Sequence, residues 1–435
     1  MAYVCQYEHT VLRDERTGDV CTCIQHPSGL EIRVMEQPGF STAHAMFGTK
    51  YGSIHTRFRL EGDPAYTEVP EGIAHFLEHK LFENEDCDTF ALFNREGACA
   101  NAYTSFDRTV YLFSCSRNFD RSLEILLDFV QKPYFTEATV EKEQGIIAQE
   151  IKMYLDDPGD RLFFQLLRGL YHNHPVQLDV AGSVESIAQI TPELLYACYR
   201  TFYNLHNMVL CCAGNITVEQ VLAVADKMLV TAPKQKLEAV FLPEPETVVK
   251  SYACTKMAVG KTMFMIGFKS SPEEGLEELR AALTAMLTFT VIAGSASPLY
   301  QKLMSEQLIN DAFNTDYLSG DGFFCMLAGG ESDDPQAVLD ALLEEIERVK
   351  AEGLDINLFN TLKRAAYGEA ITANSAPEGA VSTLVDSFMT HRISPFARAQ
   401  VLSSLTPEDA MECLRQRFRA DRVCLSVIAP HTTES

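Results

Sequence analysis

The chain has 435 residues, and its 36 lysines and arginines against 60 aspartates and glutamates give a formal charge of −24 at neutral pH. This balance argues against a nucleic-acid-binding protein and against binding to an anionic membrane surface, because both depend on basic surface. The length exceeds what one hydrophobic core usually serves and predicts two or three domains.

The predicted elements follow the same order twice along the chain. The first half predicts strands near 29–36, 42–49, 100–104, 109–116 and 207–213, with helices over 71–84, 87–96, 119–131, 136–156 and 191–203. The second half predicts strands near 251–258, 261–269, 313–317, 322–329 and 422–429, with helices over 274–292, 335–352, 355–374 and 407–418. Residues 231–250 carry several prolines and predict an irregular linker. The repetition predicts an α+β fold of two duplicated domains, 1–230 and 251–435, each an antiparallel-rich sheet flanked by helices.

The first predicted helix contains the pattern H-x-x-E-H, formed by His75, Glu78 and His79. Two histidines four residues apart lie on one helical face, so both rings can reach one Zn²⁺. Glu78 points to the same side, where it can hold a metal-bound water. The inverted order H-x-x-E-H occurs among zinc peptidases. Taken alone, the pattern fits a metal site and two partly buried structural histidines equally well. A third ligand in a suitable position would favour the metal site.

The helix predicted over 136–156 offers that third ligand. Glu143 and Glu150 are seven residues apart, two helical turns, and therefore project from nearly the same face as Ile147 and Ile151. A carboxylate among apolar neighbours is costly to bury unless it binds a cation or is protonated. The alternative, that the acidic residues are ordinary surface groups, is adopted for Glu141 and rejected for Glu150.

Several segments together resemble the M16 (pitrilysin or insulinase-like) metallopeptidases. H-F-L-E-H is followed 71 positions after its second histidine by Glu150, with another glutamate seven residues before it. The segments 97–105, 109–111, 181–187 and 208–215 resemble further landmarks of the family, so the similarity spans most of the chain. It is greatest for the metal-bearing subunit of the bacterial two-subunit type. The resemblance implies two M16-type domains, of which the second has no metal site.

The resemblance assigns a role to each residue of the predicted metal site. His75, His79 and Glu150 match the ligands of one Zn²⁺ per chain. Glu78 matches the general base, which takes a proton from water and delivers it to the leaving amine. Glu143 matches an outer carboxylate that supports a ligand.

The strand predicted near 100–104 matches the family's edge strand, on which an extended peptide substrate lies. The matching residues are Asn101, Ala102 and Tyr103. An exposed strand edge can bind an extended peptide through its main chain, which makes this role plausible on physical grounds. The alternative is an ordinary strand that follows a glycine-bounded turn.

One departure from the family pattern predicts a partner. Many members carry an arginine and, seven residues later, a tyrosine in the C-terminal half, where both contact the substrate. Met304 and Asp311 stand at these positions here, and neither can donate such a hydrogen bond at neutral pH. A second M16-like subunit that lacks H-x-x-E-H but supplies the arginine and tyrosine would complete the site as a heterodimer. The alternatives are a shift of a few residues in the alignment, or an enzyme that works without these two groups.

The sequence therefore predicts a zinc endopeptidase that cleaves short or unfolded peptides in a chamber formed with a second subunit. A protease that removes leader segments from a peptide precursor is an alternative, as is a non-catalytic scaffold with the same fold. Residues 1–9 show no secretory signal, no apolar run approaches the roughly 20 residues that span a membrane, and the thirteen cysteines follow no disulfide-framework spacing. These features predict a reducing cytoplasmic location.

Overall fold

The computed structural model describes residues 6–83, 88–390 and 392–431. In chain order its strands are β1 (Glu8–Arg13), β2 (Val20–Gln25), β3 (Glu31–Glu36), β4 (Ala43–Thr49), β5 (Arg57–Leu60), β6 (Thr67–Glu68), β7 (Ala98–Thr104), β8 (Thr109–Cys115), β9 (Met208–Gly214), β10 (Leu237–Ala239), β11 (Tyr252–Met257), β12 (Met263–Ser270), β13 (Asn314–Gly320), β14 (Phe323–Glu331) and β15 (Val423–Pro430).

The helices are α1 (Ile73–Leu81), α2 (Thr89–Glu96), α3 (Phe119–Val130), α4 (Glu137–Asp156), α5 (Pro158–Leu170), α6 (Val184–Ile187), α7 (Pro192–Phe202), α8 (Val218–Met228), α9 (Gly275–Ala293), α10 (Pro298–Ser305), α11 (Pro335–Glu352), α12 (Ile356–Thr372), α13 (Pro377–Met389), α14 (Ala397–Ser404) and α15 (Pro407–Arg417). Every strand and helix predicted from the sequence has a counterpart in these lists. Residues 84 and 87, which the predictions placed in helices, lie outside the described residues.

Two sheets repeat one arrangement of five strands, which confirms the predicted duplicated α+β fold. The seven-stranded sheet has the order β1-β2-β3-β9-β4-β8-β7, and the five-stranded sheet has the order β11-β15-β12-β14-β13. Each sheet contains one parallel pair, β3 with β9 and β11 with β15, and all its other pairs are antiparallel. The β1–β2 hairpin extends only the first sheet.

The chain divides into two compact units, and each unit is built from three separate segments of the chain. The first comprises Met1–Ile151, Asp179–Val240 and Ala370–Phe396, and the second comprises Lys152–Leu178, Phe241–Glu369 and Ala397–Ser435. These units are not the contiguous segments 1–230 and 251–435, because α13 belongs to the first and α5 to the second. An amphipathic helix packs where a sheet offers an apolar face, and its place in the chain does not determine which sheet that is.

Helix α13 covers one face of the first sheet. Its residues Val381, Leu384, Val385 and Phe388 are buried in a core cluster that includes residues of β3, β4 and β9. Helix α5 has the equivalent position in the second unit, where it packs on β15, β12 and β11. The sequence reading missed both helices. For α5 a signal was present, since Asp157 accepts a hydrogen bond from the Asp160 N–H as an N-cap and Pro158 occupies the first turn.

The predicted irregular linker over 231–250 contains a short strand. Strand β10 pairs antiparallel with β5 and completes a three-stranded sheet with β6. The sequence-based predictions also lacked β1, β2, β5, β6, α6, α8, α10 and α14. Most of these elements are short or half-exposed, so their periodicity is weak, and tertiary pairing decides whether they form.

Within the described residues, no single helix is both long and apolar enough to cross a membrane. Helices α9 and α10 meet the length and composition criteria only as a pair that is bent by 43°. Most apolar residues of α9 are buried.

His174 in the second unit gives a testable pH dependence of stability. Its ring is buried, Nδ1 accepts from the Val176 N–H, and Nε2 donates to the Asp321 carbonyl at 2.9 Å. Burial lowers the pKa of His174 to about 4. Between that value and the unfolded value of about 6.5, only the unfolded chain binds the proton, so stability falls as the pH decreases through this window, by up to about 3 kcal/mol.

Replacing His174 with glutamine should remove the part of the pH dependence that His174 contributes, so the slope of stability against pH should decrease. The measurement is the free energy of unfolding by urea at several pH values between 4 and 7, for wild type and His174→Gln. The neighbouring, exposed His172 provides the control variant His172→Gln, which should keep the wild-type slope. An unchanged slope in His174→Gln would contradict the assignment.

Candidate metal centre

Two glycines determine where α1 begins. Gly72 precedes the helix with φ +86°, and a Cβ at this position would lie 2.4 Å from the Ala181 carbonyl oxygen. Gly182 has φ +77°, and its Cβ would lie 2.6 Å from the Glu71 carbonyl oxygen. Only glycine tolerates this combination of left-handed backbone and close approach. The two chain segments therefore touch backbone to backbone, which positions the start of α1 against the turn before α6.

Helix α1 buries its apolar side and presents both histidines on one face. Phe76 and Leu77 are fully buried, as the sequence pattern predicted. The rings of His75 and His79 lie with their centroids 4.5 Å apart at an interplanar angle of 66°. The spacing of four residues thus brings two imidazoles together, as a shared ion requires.

Helix α4 brings Glu150 to the two imidazoles. One carboxylate oxygen lies 3.8 Å from His75 Nε2 and the other lies 3.6 Å from His79 Nε2. Ile147 and Ile151 are buried on the same helix and anchor it to the core. The three residues form a group whose ligand atoms all lie within 4.8 Å of one another.

This donor set fits a tetrahedral divalent ion. With metal–ligand distances near 2.0–2.1 Å, two ligands of one tetrahedral Zn²⁺ are separated by roughly 3.3 Å. The observed separations of 3.6 and 3.8 Å, each measured to a different oxygen of Glu150, are a few tenths of an ångström longer than that value. Burial, together with the neighbouring His79, lowers the pKa of His75 to about 4. His75 is therefore neutral at physiological pH, which is the form that binds a metal.

Glu143 orients the second imidazole. Its carboxylate is buried and lies 3.0 Å from His79 Nδ1, so Nδ1 donates the hydrogen bond and Nε2 is left facing Glu150. Burial alone would lower the pKa of His79, but the hydrogen bond to Glu143 and the charges of Glu78 and Glu150 raise it. The carboxylates thus favour positive charge at this point, which a divalent ion would supply.

Glu78 lies on the same helix and does not belong to the ligand group. Burial raises its pKa, although a hydrogen bond from Thr104 and the proximity of His79 oppose the change. The Thr104 hydroxyl donates to Glu78 Oε2 at 2.8 Å. The sequence predicted Thr104 only as part of a strand, because its contact with Glu78 depends on the packing of that strand against α1.

The strand predicted to hold substrate is at the edge of its sheet. Asn101, Ala102 and Tyr103 lie on β7, which pairs with β8 on one side. The side chains of Asn101 and Tyr103 are exposed, and the Ala102 N–H donates to the Asn101 side-chain oxygen at 2.9 Å. Because Thr104 ends the same strand, the edge leads directly to Glu78.

The two positions that were predicted to replace the family's arginine and tyrosine lie in the second unit. Met304 is half-buried on α10, and Asp311 is exposed after it. Across residues 6–83, 88–390 and 392–431, His75, His79 and Glu150 form the one group of three histidine, cysteine or acidic side chains that could hold a metal.

Comparisons with known proteins identify the family of this chain. Residues 65–184 match the family described as Insulinase (Peptidase family M16), and residues 189–366 match the Peptidase M16 inactive domain. The chain is 38% identical over 414 residues to a Bacillus subtilis protein named uncharacterized zinc protease YmfH, covering 93% of this chain and 95% of that protein.

Two further relatives extend the comparison. A crystal structure of an M16-like protein from Alicyclobacillus acidocaldarius has a TM-score of 0.90 and 32% identity, covering 98% of both chains. The human mitochondrial-processing peptidase subunit beta is 31% identical over 209 residues, covering 47% of this chain and 40% of that subunit. Similarity along nearly the full length, in sequence and in fold, shows that this chain belongs to peptidase family M16.

Proposed function

We propose that the chain is a zinc-dependent endopeptidase that hydrolyses short or unfolded peptides together with a second M16-like subunit. The observation that carries the proposal is the convergence of His75, His79 and Glu150 from two separate helices. The similarity to proteins named as zinc proteases supports the choice of metal and reaction. A non-catalytic scaffold would not need Glu78 and Thr104 in hydrogen-bond contact beside the ligand group.

In the proposed mechanism, His75, His79 and Glu150 would hold one Zn²⁺, which would lower the pKa of water and polarise a carbonyl group. Glu78 accepts the proton of the attacking water and delivers it to the leaving amine. Its raised pKa suits this exchange, because a base that titrates nearer to neutral pH can also act as an acid. Thr104 acts as a positioning residue that keeps one Glu78 oxygen in place.

The edge of β7 is the proposed binding site for the peptide main chain. An extended peptide that adds to this edge gains main-chain hydrogen bonds that do not depend on its sequence. The Ala102 N–H already donates to the Asn101 side-chain oxygen. A peptide that pairs with Ala102 must therefore displace the Asn101 side chain from this hydrogen bond. Binding at such an edge requires an extended substrate, which a short or unfolded peptide provides and a folded protein does not.

The proposed partner would supply the groups that Met304 and Asp311 cannot. A methionine thioether is a weak acceptor and a carboxylate is an acceptor only, so neither donates to a peptide carbonyl. A relative of this chain is itself named as the beta subunit of a processing peptidase. Purification of the native protein, followed by mass spectrometry, tests the proposal by identifying a second M16-like chain with arginine and tyrosine at these positions.

Removing the Glu143 carboxylate should weaken zinc binding without abolishing it. In Glu143→Gln the His79 ring loses a charged acceptor at Nδ1, and loss of such an outer partner costs about 10–100-fold in metal affinity. Competition with a fluorescent zinc chelator measures the change. An affinity equal to that of wild type would show that the contact does not orient His79 for a metal.

The central test combines metal content with peptide hydrolysis. The purified chain, alone and with its co-purified partner, is assayed for zinc by mass spectrometry and for cleavage of a quenched-fluorescence peptide library. We expect about one zinc per chain, loss of cleavage with 1,10-phenanthroline and its recovery on adding zinc. A chain that binds no zinc would overturn the proposal. Cleavage confined to one narrow sequence would instead favour a precursor-processing enzyme.

A further inference from the structure

The two sheets differ at one edge. In the first sheet, the parallel pair β3–β9 is followed by β2 and β1, so β3 is an interior strand. In the second sheet the equivalent pair is β11–β15, and the sheet ends at β11. Among the described residues, the second unit therefore lacks the strands that cover the equivalent edge of the first.

In the first unit these strands also fill the space beside α13. Cys21 of β2 is fully buried in the cluster with Leu384 and Phe388, and Leu12 and Cys23 pack against it. In the second unit, α5 has the place of α13, and the equivalent space is an open groove of about 560 Å³ between α5 and β11. A position that β2 occupies in one unit is thus available in the other.

The groove is basic although the chain as a whole is acidic. Arg161 and Arg168 are two turns apart on α5, and Lys250 precedes β11, so three cationic side chains line the groove. No acidic side chain lines it. Neither Arg161 nor Lys250 forms an ion pair within the part of the chain that the structure describes. In a chain of formal charge −24, a cationic groove without carboxylates favours a negatively charged occupant.

The main chain of β11 is arranged to accept a strand. The N–H of Leu425, on β15, donates to the carbonyl of Ser251, which directly precedes β11. In a parallel pair of strands, every second residue directs both its N–H and its C=O to the neighbouring strand, and the residues between direct theirs to the other side. The N–H and C=O groups of Tyr252 and Cys254 are therefore directed to the open edge. Both residues are exposed, and the strand alternates between exposed and half-buried positions along its length. Gln165 donates to the Ala253 carbonyl and ties the strand to α5.

We propose that this groove binds an extended, acidic segment of a partner protein, which adds to β11 as a further strand. The main chain of the segment would pair with Tyr252 and Cys254, and its carboxylates would face Arg161, Arg168 and Lys250. Nucleic acid is the less favourable occupant, because the −24 charge repels a polyanion and a strand edge offers main-chain groups that pair with a peptide.

The exposed thiol of Cys254 reports on occupancy of the groove, and Cys99, exposed on β7, reports on the edge proposed for substrate. The experiment measures the alkylation rate of each thiol by iodoacetamide, using mass spectrometry of the resulting peptides. The full chain carries Glu78→Gln so that the probe is not cleaved. The probe is a capped seven-residue peptide that alternates glutamate and valine, and the comparison probe has lysine in place of glutamate.

We expect the acidic probe to slow alkylation of Cys254 more than the lysine probe does, whereas any protection of Cys99 on β7 should be the same for both probes. The double variant Arg161→Glu with Lys250→Glu should weaken this protection at least about tenfold, because like charges then face the probe. The matched control reverses two exposed basic residues of the first unit, Arg13→Glu with Lys234→Glu, and should behave as the parent protein. N-methylation of alternate probe amides should also abolish protection, since it removes the main-chain donors.

Three results would overturn the proposal. Equal protection by the lysine probe would show that charge does not select the occupant. Protection confined to Cys99 would place the peptide on β7 instead. Sedimentation velocity tests whether a second copy of this chain occupies the groove. That would be the case if the parent protein is a dimer and the Arg161→Glu, Lys250→Glu variant is a monomer. None of these results depends on whether the chain hydrolyses peptides.

Discussion

Replacing Glu78 with glutamine is expected to lower kcat for peptide hydrolysis by roughly 10²–10⁴-fold, the usual contribution of a general base. Glutamine keeps the volume of the side chain and can still accept the Thr104 hydrogen bond, but it cannot take a proton from water. The three proposed metal ligands are unchanged. Initial rates with a quenched-fluorescence peptide and the zinc content of the same sample are the two measurements.

The Thr104→Val variant is the informative companion to Glu78→Gln. It leaves the carboxylate in place and removes only the hydroxyl that holds it, so kcat should fall by less than in Glu78→Gln. Zinc content should equal that of wild type in both variants. Full turnover by Glu78→Gln would refute its role as the base, whereas loss of zinc would show that Glu78 belongs to the ligand group.

Replacing Glu150 with glutamine is expected to lower zinc affinity by more than the about 10–100-fold that loss of an outer-shell partner typically costs. The reason is that Glu150 contributes the only carboxylate of the group, and its oxygens lie 3.6 and 3.8 Å from the imidazoles. Removing it takes away one of three ligands and one negative charge. Zinc content after dialysis against a weak chelator measures the effect, and hydrolysis should decrease in proportion.

Glu141 supplies the matched control on the same helix. It is exposed, whereas Glu150 faces the two imidazoles. Glu141→Gln makes the same chemical change and removes the same charge, so it should retain wild-type zinc and activity. Equal losses in the two variants would mean that a general electrostatic effect of α4, and not coordination, holds the metal.

The elements that carry the site were predictable because their signals are local. The spacing of His75 and His79 is a property of one helix, and the apolar residues around it specify the buried face. The same holds for Glu143 and Glu150 on α4. The assignment of Glu150 among the many glutamates of the chain drew on the resemblance to family M16, since periodicity alone also suited Glu143.

The contacts that complete the site were not predictable in the same way. Thr104 reaches Glu78 only because β7 packs beside α1, and Gly72 is required only because the turn at Gly182 approaches it. Both contacts join segments far apart in the chain. A pattern of residue types records which side of an element is apolar, but it does not record which distant segment covers that side.

The amino-acid sequence by itself determined the donor types, their spacing on two helices and the repeated order of strands and helices, because helical and strand periods are set by local backbone geometry. Tertiary structure alone decided that α13 belongs to the first unit and α5 to the second, and that the edge of β11 is left open while β3 is covered. These outcomes depend on burial of apolar area between segments distant in sequence. The free energy gained by burying apolar area is non-directional and depends on which surfaces come into contact. No short stretch of residues therefore encodes it.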